Sequence, residues 1–188
     1  SYPGVELIIG PDNEVLTKSP ANMIGYYKEP ALTAESFENG FLKTGDEGRL
    51  DEEGYLTITG RIKDLFKTSK GKYVAPAPIE KLLLEHAFFA QVCVVGSGES
   101  SALALCMLNA SSLPAKEIYE KLSVIRRQVN QQLESHEQVA KLVIVREEWT
   151  IANGFFTPTL KIRRGVMDTH YGSSYASWLR NADDVIWE

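Results

Sequence analysis

A chain of 188 residues with 44% hydrophobic content can bury a core as one domain or two, and it is not intrinsically disordered. A formal net charge of -5 excludes a general nucleic-acid binder, because that class gains affinity from a basic surface that releases counterions. Cys93 and Cys106 lie inside apolar runs and are expected to be reduced, buried thiols. No signal peptide is present, nor any apolar stretch near the roughly 20 residues of a membrane span, so a cytosolic protein is expected. Peripheral association of the full-length form with a membrane stays open.

From residue 5 to about 59, short alternating stretches predict strands over 5–9, 15–18 and 55–59, with turns at Pro11-Asp12-Asn13 and Glu52-Glu53-Gly54. Residues 30–37 carry a short helical pattern begun by Thr33, whose hydroxyl can cap exposed amides. This part reads as the remnant of a β-rich subdomain. After Arg61 the pattern becomes that of an independent α+β unit. Residues 65–68 and 73–74 flank the turn Ser69-Lys70-Gly71-Lys72, a hairpin whose tip is flexible because Gly71 permits positive φ. Pro76 and Pro78 open a helix with Ile79, Leu82 and Leu83 on one face. The dense apolar runs 91–95 and 102–108 predict buried strands joined through Gly96-Ser97-Gly98.

Ile118, Leu122, Ile125, Val129 and Leu133 recur at helical spacing, while Glu117, Glu120, Arg126, Arg127 and Gln131 face water and Pro114 suits the first turn. A strand at 142–145, a loop at 149–157 and a terminal helix from Lys161 to about Trp178 follow. The expected fold class is α+β, its second part a central sheet flanked by helices.

Several polar residues are candidates for chemistry. Asp46, after Thr44-Gly45, reads most simply as a turn aspartate bonded to its own backbone. A carboxylate there can also accept from both vicinal hydroxyls of a ribose, and Arg61 can reinforce that grip with a planar donor fork. Lys161, starting a helix beside Arg163 and Arg164, is by itself a surface cation that the helix dipole mildly disfavours; as a mobile point charge it can serve a phosphate. Lys63 and Asp64 read as a solvated pair. Lys67, Lys70 and Lys72 fit a solubilising role as well as a functional one. His86, His136 and His170 lack metal-ligand spacing and a Ser or Cys partner, and Trp149, Trp178 and Trp187 are expected to pack.

The ordered series Met23-Ile24-Gly25-Tyr26-Tyr27-Lys28 with Thr33, Lys43-Thr44-Gly45-Asp46, Gly60-Arg61-Ile62-Lys63-Asp64, Ser69-Lys70-Gly71-Lys72-Tyr73-Val74-Ala75-Pro76, Ile79-Glu80 and Thr157-Pro158-Thr159-Leu160-Lys161-Ile162-Arg163-Arg164 resembles the adenylate-forming enzymes. The Thr-Pro-Thr-Leu-Lys form and the Ser-Lys-Gly-Lys loop resemble the C-terminal part of long-chain acyl-CoA synthetases in particular. The resemblance implies that residues 1–62 are the C-terminal β-rich portion of an N-terminal adenylation domain and 63–188 a mobile C-terminal domain. It further implies that Asp46 and Arg61 hold the ribose of ATP or AMP, and that Lys63 is the hinge. By the same resemblance the Gly71 loop passes the pantetheine of CoA, and Lys161 is catalytic in adenylation.

The phosphate-binding loop, the aromatic segment beside adenine and the Mg2+-ligating Glu of such enzymes are not among these residues. The chain is therefore expected to be a portion of a longer protein, inactive alone, with Ser1-Tyr2-Pro3-Gly4-Val5-Glu6-Leu7 following a missing N-terminal domain. The implied activity is ATP-dependent ligation of a fatty acid to CoA. Alternatives are medium-chain or aromatic acids, a carrier-protein pantetheine as acceptor, or a non-catalytic interaction module; retention of Asp46, Arg61 and Lys161 argues against the last.

Overall fold

The computed structural model describes residues 3–110 and 112–188, and the chain forms two compact units, Ser1–Lys63 and Asp64–Glu188. Ser1 and Tyr2, which open the segment expected to follow an upstream domain, lie outside the described residues.

The first unit is built on a sheet of strands β1 (Glu6–Ile9), β2 (Glu14–Lys18), β3 (Phe37–Glu38), β4 (Phe41–Leu50) and β5 (Leu56–Arg61), with helix α1 (Pro30–Glu35) between β2 and β3. Their order is β1-β2-β4-β3, all antiparallel, and β5 also pairs with β4. Val15 and Leu16 on β2 are buried. One sequence expectation changes at α1. Thr33 does not begin this helix, because Pro30 occupies its first turn with φ already fixed. The Thr33 hydroxyl instead donates to the Glu29 carbonyl at 2.8 Å and accepts from the Tyr26 N–H at 2.9 Å.

In the second unit, β6 (Phe66–Lys67) and β7 (Tyr73–Val74) make the expected hairpin, and α2 (Pro76–Leu84) follows directly. The central sheet contains β8 (Phe89–Val95), β9 (Ala102–Leu108), β10 (Val139–Ile144) and β11 (Val185–Trp187) in the order β11-β10-β9-β8. β8 and β9 are antiparallel, whereas β9, β10 and β11 run parallel, so each parallel step needs a crossover helix. Helix α3 (Ala115–Asn130) supplies the first and α4 (Arg164–Arg180) the second.

The sheet is covered on both faces, which explains why residues 102–108 read as an unbroken apolar run. Ala102, Ala104 and Cys106 join the cluster that holds Ile79 and Leu83 of α2 and Ile118, Leu122, Ile125 and Val129 of α3. Leu103 and Leu105 join the opposite cluster with Trp149, Phe155 and Met167, Tyr171 and Tyr175 of α4. Over residues 102–106, β9 therefore turns small side chains to one helical layer and leucines to the other.

Three expectations in this unit are corrected. Arg126 does not face water, since its side chain is 14% exposed and pairs with Asp184 ahead of β11. Leu133 lies beyond the end of α3, where the chain has already left the helix at Asn130. Trp187 is 45% exposed because it sits on the edge strand β11, while Trp149 is buried. Lys141 is nearly buried, and its ammonium donates to the carbonyls of Asn181 at 2.7 Å and Asp183 at 2.9 Å, securing the approach to β11.

Candidate active site residues

Asp46 and Arg61 face each other across β4 and β5. Strand β4 bulges there: Leu16 pairs with Lys43, but Glu14 pairs with Glu47, so β4 carries extra residues opposite β2. Gly45 makes this possible with φ of 71°, and its N–H donates to the Glu14 carboxylate at 2.9 Å. The Thr44 hydroxyl donates to the Val15 carbonyl at 2.7 Å and accepts from the Asp46 N–H at 3.1 Å. Thr44, not Asp46, thus closes the local backbone turn, and the Asp46 carboxylate instead accepts from Arg61 Nη1. Arg61 also donates to the Thr44 carbonyl at 3.3 Å.

The consequence is a pre-oriented carboxylate and guanidinium side by side. The Asp46 side chain is 32% exposed, so it remains open to a hydroxyl-bearing ligand. Its two oxygens offer about four acceptor positions, enough to hold Arg61 and a diol together.

Gly71 and Lys161 belong to the second unit. Gly71 closes its hairpin with φ of 79° and donates its N–H to the Thr68 carbonyl at 2.9 Å. A Cβ at this position would meet only the Lys67 Cε, at 3.8 Å, so backbone conformation and not space within the chain requires glycine. Lys63 is exposed within a short 3-10 turn, Ile62–Asp64, and the two compact units divide immediately after it.

Lys161 does not start a helix, which corrects the dipole argument made from sequence. It sits in a tight turn whose ends are tied by the Thr157 N–H donating to the Lys161 carbonyl at 2.9 Å and the Lys161 N–H donating to the Thr157 hydroxyl at 3.1 Å. An isolated bridge between Phe156 and Ile162 extends the backbone at the base of the turn, so the helix begins only at Arg164. Leu160, with φ of 59°, stands in left-handed backbone that costs a residue bearing a Cβ about 1 kcal/mol. The turn presents the exposed Lys161 side chain to solvent.

A further group was missed from sequence. Arg164, named in the sequence reading only as a residue beside Lys161, is 19% exposed in its side chain and pairs with Glu80 of α2 at 2.8 Å. It also donates to the Val94 carbonyl and lies 3.1 Å from the Cys93 Sγ. Burial opposes the Arg164 charge, but the neighbouring Cys93 sulfur and the Glu80 carboxylate outweigh it and raise its pKa above the ordinary arginine value. Glu80 Oε1 in turn accepts from the Val94 N–H at 2.8 Å. No spacing rule links positions so far apart, and Glu80 enters the sequence reading only within the Ile79-Glu80 stretch of the resemblance.

Burial pushes the Cys93 thiol up to about 12, with Arg164 pulling partly the other way, and burial raises Cys106 as well. Raised pKa values leave almost no thiolate at neutral pH, and the thiolate is the nucleophile. Iodoacetamide at pH 7.5 is expected to label neither cysteine of the native protein within minutes and both in denaturant. Rapid native labelling of Cys93, read by mass spectrometry, would contradict the buried placement.

The family model described as AMP-binding enzyme C-terminal domain matches residues 63–172. The chain is 30% identical over 190 residues to the long-chain-fatty-acid–CoA ligase FadD15 of Mycobacterium tuberculosis, covering 91% of this chain and 32% of that protein. It is 31% identical over 183 residues to the long-chain-fatty-acid–CoA ligase 1 of Cavia porcellus, covering 86% of this chain and 26% of that protein. Among solved structures, it is similar to the A domain of carboxylic acid reductase from Segniliparus rugosus in complex with AMP and a co-purified carboxylic acid. That likeness has a TM-score of 0.74 at 26% identity and covers 92% of this chain and 31% of that one. The chain therefore spans about a third of the length of FadD15. A mixed α+β unit with helices on a central sheet, a matching family model over more than half the chain and ligase relatives along nearly all of it converge: the chain belongs to the adenylate-forming AMP-binding enzymes, as part of their C-terminal region.

Proposed function

We propose that these residues serve an ATP-dependent acyl-CoA synthetase acting on a fatty acid. In this reading residues 1–62 complete the adenylation domain and residues 63–188 form the mobile C-terminal domain. The observation that carries it is the Asp46–Arg61 pair, fixed on adjacent strands by the β4 bulge with the carboxylate still accessible to a ribose diol. The ligase relatives favour a fatty acid as the acyl group. The likeness to a carboxylic acid reductase domain supports the alternative of another carboxylic acid as substrate.

The chemistry runs in two steps. A carboxylate oxygen attacks the α-phosphorus of ATP, the bond to pyrophosphate breaks, and an acyl-adenylate remains. The CoA thiolate then attacks the acyl carbonyl, and AMP departs with the electron pair of the broken acyl–oxygen bond. Asp46 and Arg61 hold the ribose through both steps. Lys161 supplies positive charge to the carboxylate and α-phosphate oxygens in the first, and the Gly71 turn lines the pantetheine path in the second. Mg2+ accompanies ATP in such chemistry; among the described residues no group of three or more His, Cys, Asp or Glu is placed to hold a metal ion, so none is given that role. Among the described residues no helix is long and apolar enough to cross a membrane. A cytosolic placement with peripheral membrane contact suits a fatty-acid substrate.

ATP–pyrophosphate exchange by the whole protein, run with acids of graded chain length and with aromatic acids, tests the reading. Exchange dependent on long-chain acids is the expected result, and absence of exchange with every acid would overturn it.

Lys63 is the proposed hinge, and Lys63→Pro is its probe. Proline fixes φ and restrains Ile62 before it, so rotation about this point is resisted. The variant is expected to keep adenylation within about threefold while CoA transfer falls by about tenfold or more, because the rotation that precedes transfer is resisted. Melting temperatures are compared first, because proline also acts through the unfolded chain. A variant that melts like the parent and transfers at the parent rate removes Lys63 as the pivot.

A further inference from the structure

Arg164 occupies a position that packing alone does not require. Helix α4 is already held to the sheet by Met167, Tyr171 and Tyr175, all buried in the same cluster. The charged contact instead fixes the first residue of the helix, three residues past the end of the Lys161 turn. On the other side of that turn Phe155 and Phe156 are buried, and the Arg163 N–H donates to the Phe155 carbonyl at 2.8 Å. A cation at the first residue of a helix opposes the dipole, so its presence needs a compensating partner. Glu80 is that partner, and it is itself held by the Val94 N–H.

We propose that Glu80 and Arg164 form a clasp across α2, β8 and α4 that positions Lys161 for adenylation, with Arg164 acting as a positioning residue. The proposal rests on the role assigned above to Lys161. A lysine has a long, freely rotating stem, so its ammonium reaches a defined point only when its Cα is fixed. Catalytic groups must be held within about 0.5 Å of the productive geometry, and an error near 1 Å costs up to roughly a hundredfold in rate. The hydrogen bonds within the turn define its shape, whereas the clasp defines where that shape sits on the sheet.

The test uses the whole protein with Glu80→Gln and, separately, Arg164→Lys, each conserving size and part of the hydrogen bonding. Adenylation is measured by ATP–pyrophosphate exchange, thioester formation is measured from supplied acyl-adenylate, and hydrogen exchange is followed over residues 157–163. The expected result for each variant is a fall of about tenfold in kcat for adenylation with KM for ATP within twofold. Thioester formation should hold at the parent rate, and the Lys161 and Arg163 amides should exchange faster. In the Lys161→Ala background Glu80→Gln should cause no further loss, because both changes act through one group. If both half-reactions fall equally, the clasp is a general fastener and the proposal is overturned; Arg164→Lys is read by the same comparison should Glu80→Gln fail to fold. Parent-rate adenylation in both clasp variants, with Lys161→Ala crippled, overturns the clasp alone. Intact adenylation in Lys161→Ala overturns the role of Lys161 and the clasp with it.

Discussion

Replacing Lys161 with alanine in the whole protein is expected to slow acyl-adenylate formation by about 10²–10³-fold while leaving thioester formation from supplied acyl-adenylate nearly unchanged. The magnitude follows from one charge pair. At about 4 Å and an effective dielectric near 20, a lysine ammonium facing a phosphate oxygen contributes roughly 4 kcal/mol. Only the part gained in the transition state speeds the reaction, so that full value, about 10³-fold, is the upper end of the expected loss. The side chain stands exposed at the end of the Thr157 to Lys161 turn, so removing it leaves no buried partner unsatisfied. Folding should be unaffected. Single-turnover measurements of the two half-reactions decide the matter: equal loss in both would make Lys161 a shared or structural residue.

The second large effect is on stability. Arg164→Met is expected to lower the unfolding free energy of the second unit by about 3 kcal/mol, because the Glu80 carboxylate remains largely buried without its cation. The low end of the range for broken buried pairs applies, since both side chains keep some exposure. For a unit of this size the melting midpoint should fall by about 10 °C. Glu80→Met combined with Arg164→Met should recover only part of the loss. Apolar replacement relieves the lone carboxylate, but the Val94 N–H and carbonyl then lose the partners that Glu80 and Arg164 provide. Urea titration of the two single variants and the double variant measures the coupling. Full recovery to parent stability would show that the Val94 contacts contribute nothing.

Local periodicity made much of the second unit legible. Ile118, Leu122, Ile125 and Val129 mark one helical face, and the apolar run 102–108 marks a strand buried on both sides. Strand β4 was hidden because Thr44-Gly45-Asp46 has the composition of a turn, and the chain indeed bulges there without leaving the sheet. Helix α4 started late because the Phe156 to Ile162 bridge keeps the backbone extended past Lys161. Strand β11 is three residues long and depends on Lys141 and Arg126 from distant elements, so no window around it carries the signal. Asp46 and Arg61 could be chosen from sequence as a pair, but their opposition across two strands is a property of the register. The Glu80–Arg164 contact was illegible for a related reason: tertiary ion pairs have no period.

Val94 belongs to β8, one of the two edge strands of the central sheet, and its N–H and carbonyl are both engaged by side chains. An unpaired strand rim is a template on which another chain can add a strand, the route by which many sheets aggregate. Glu80 and Arg164 occupy the donor and acceptor that an incoming strand would use at this point, so they make the rim poor at recruiting a neighbour. The same pair therefore bears on solubility at high concentration, independently of any catalytic turnover.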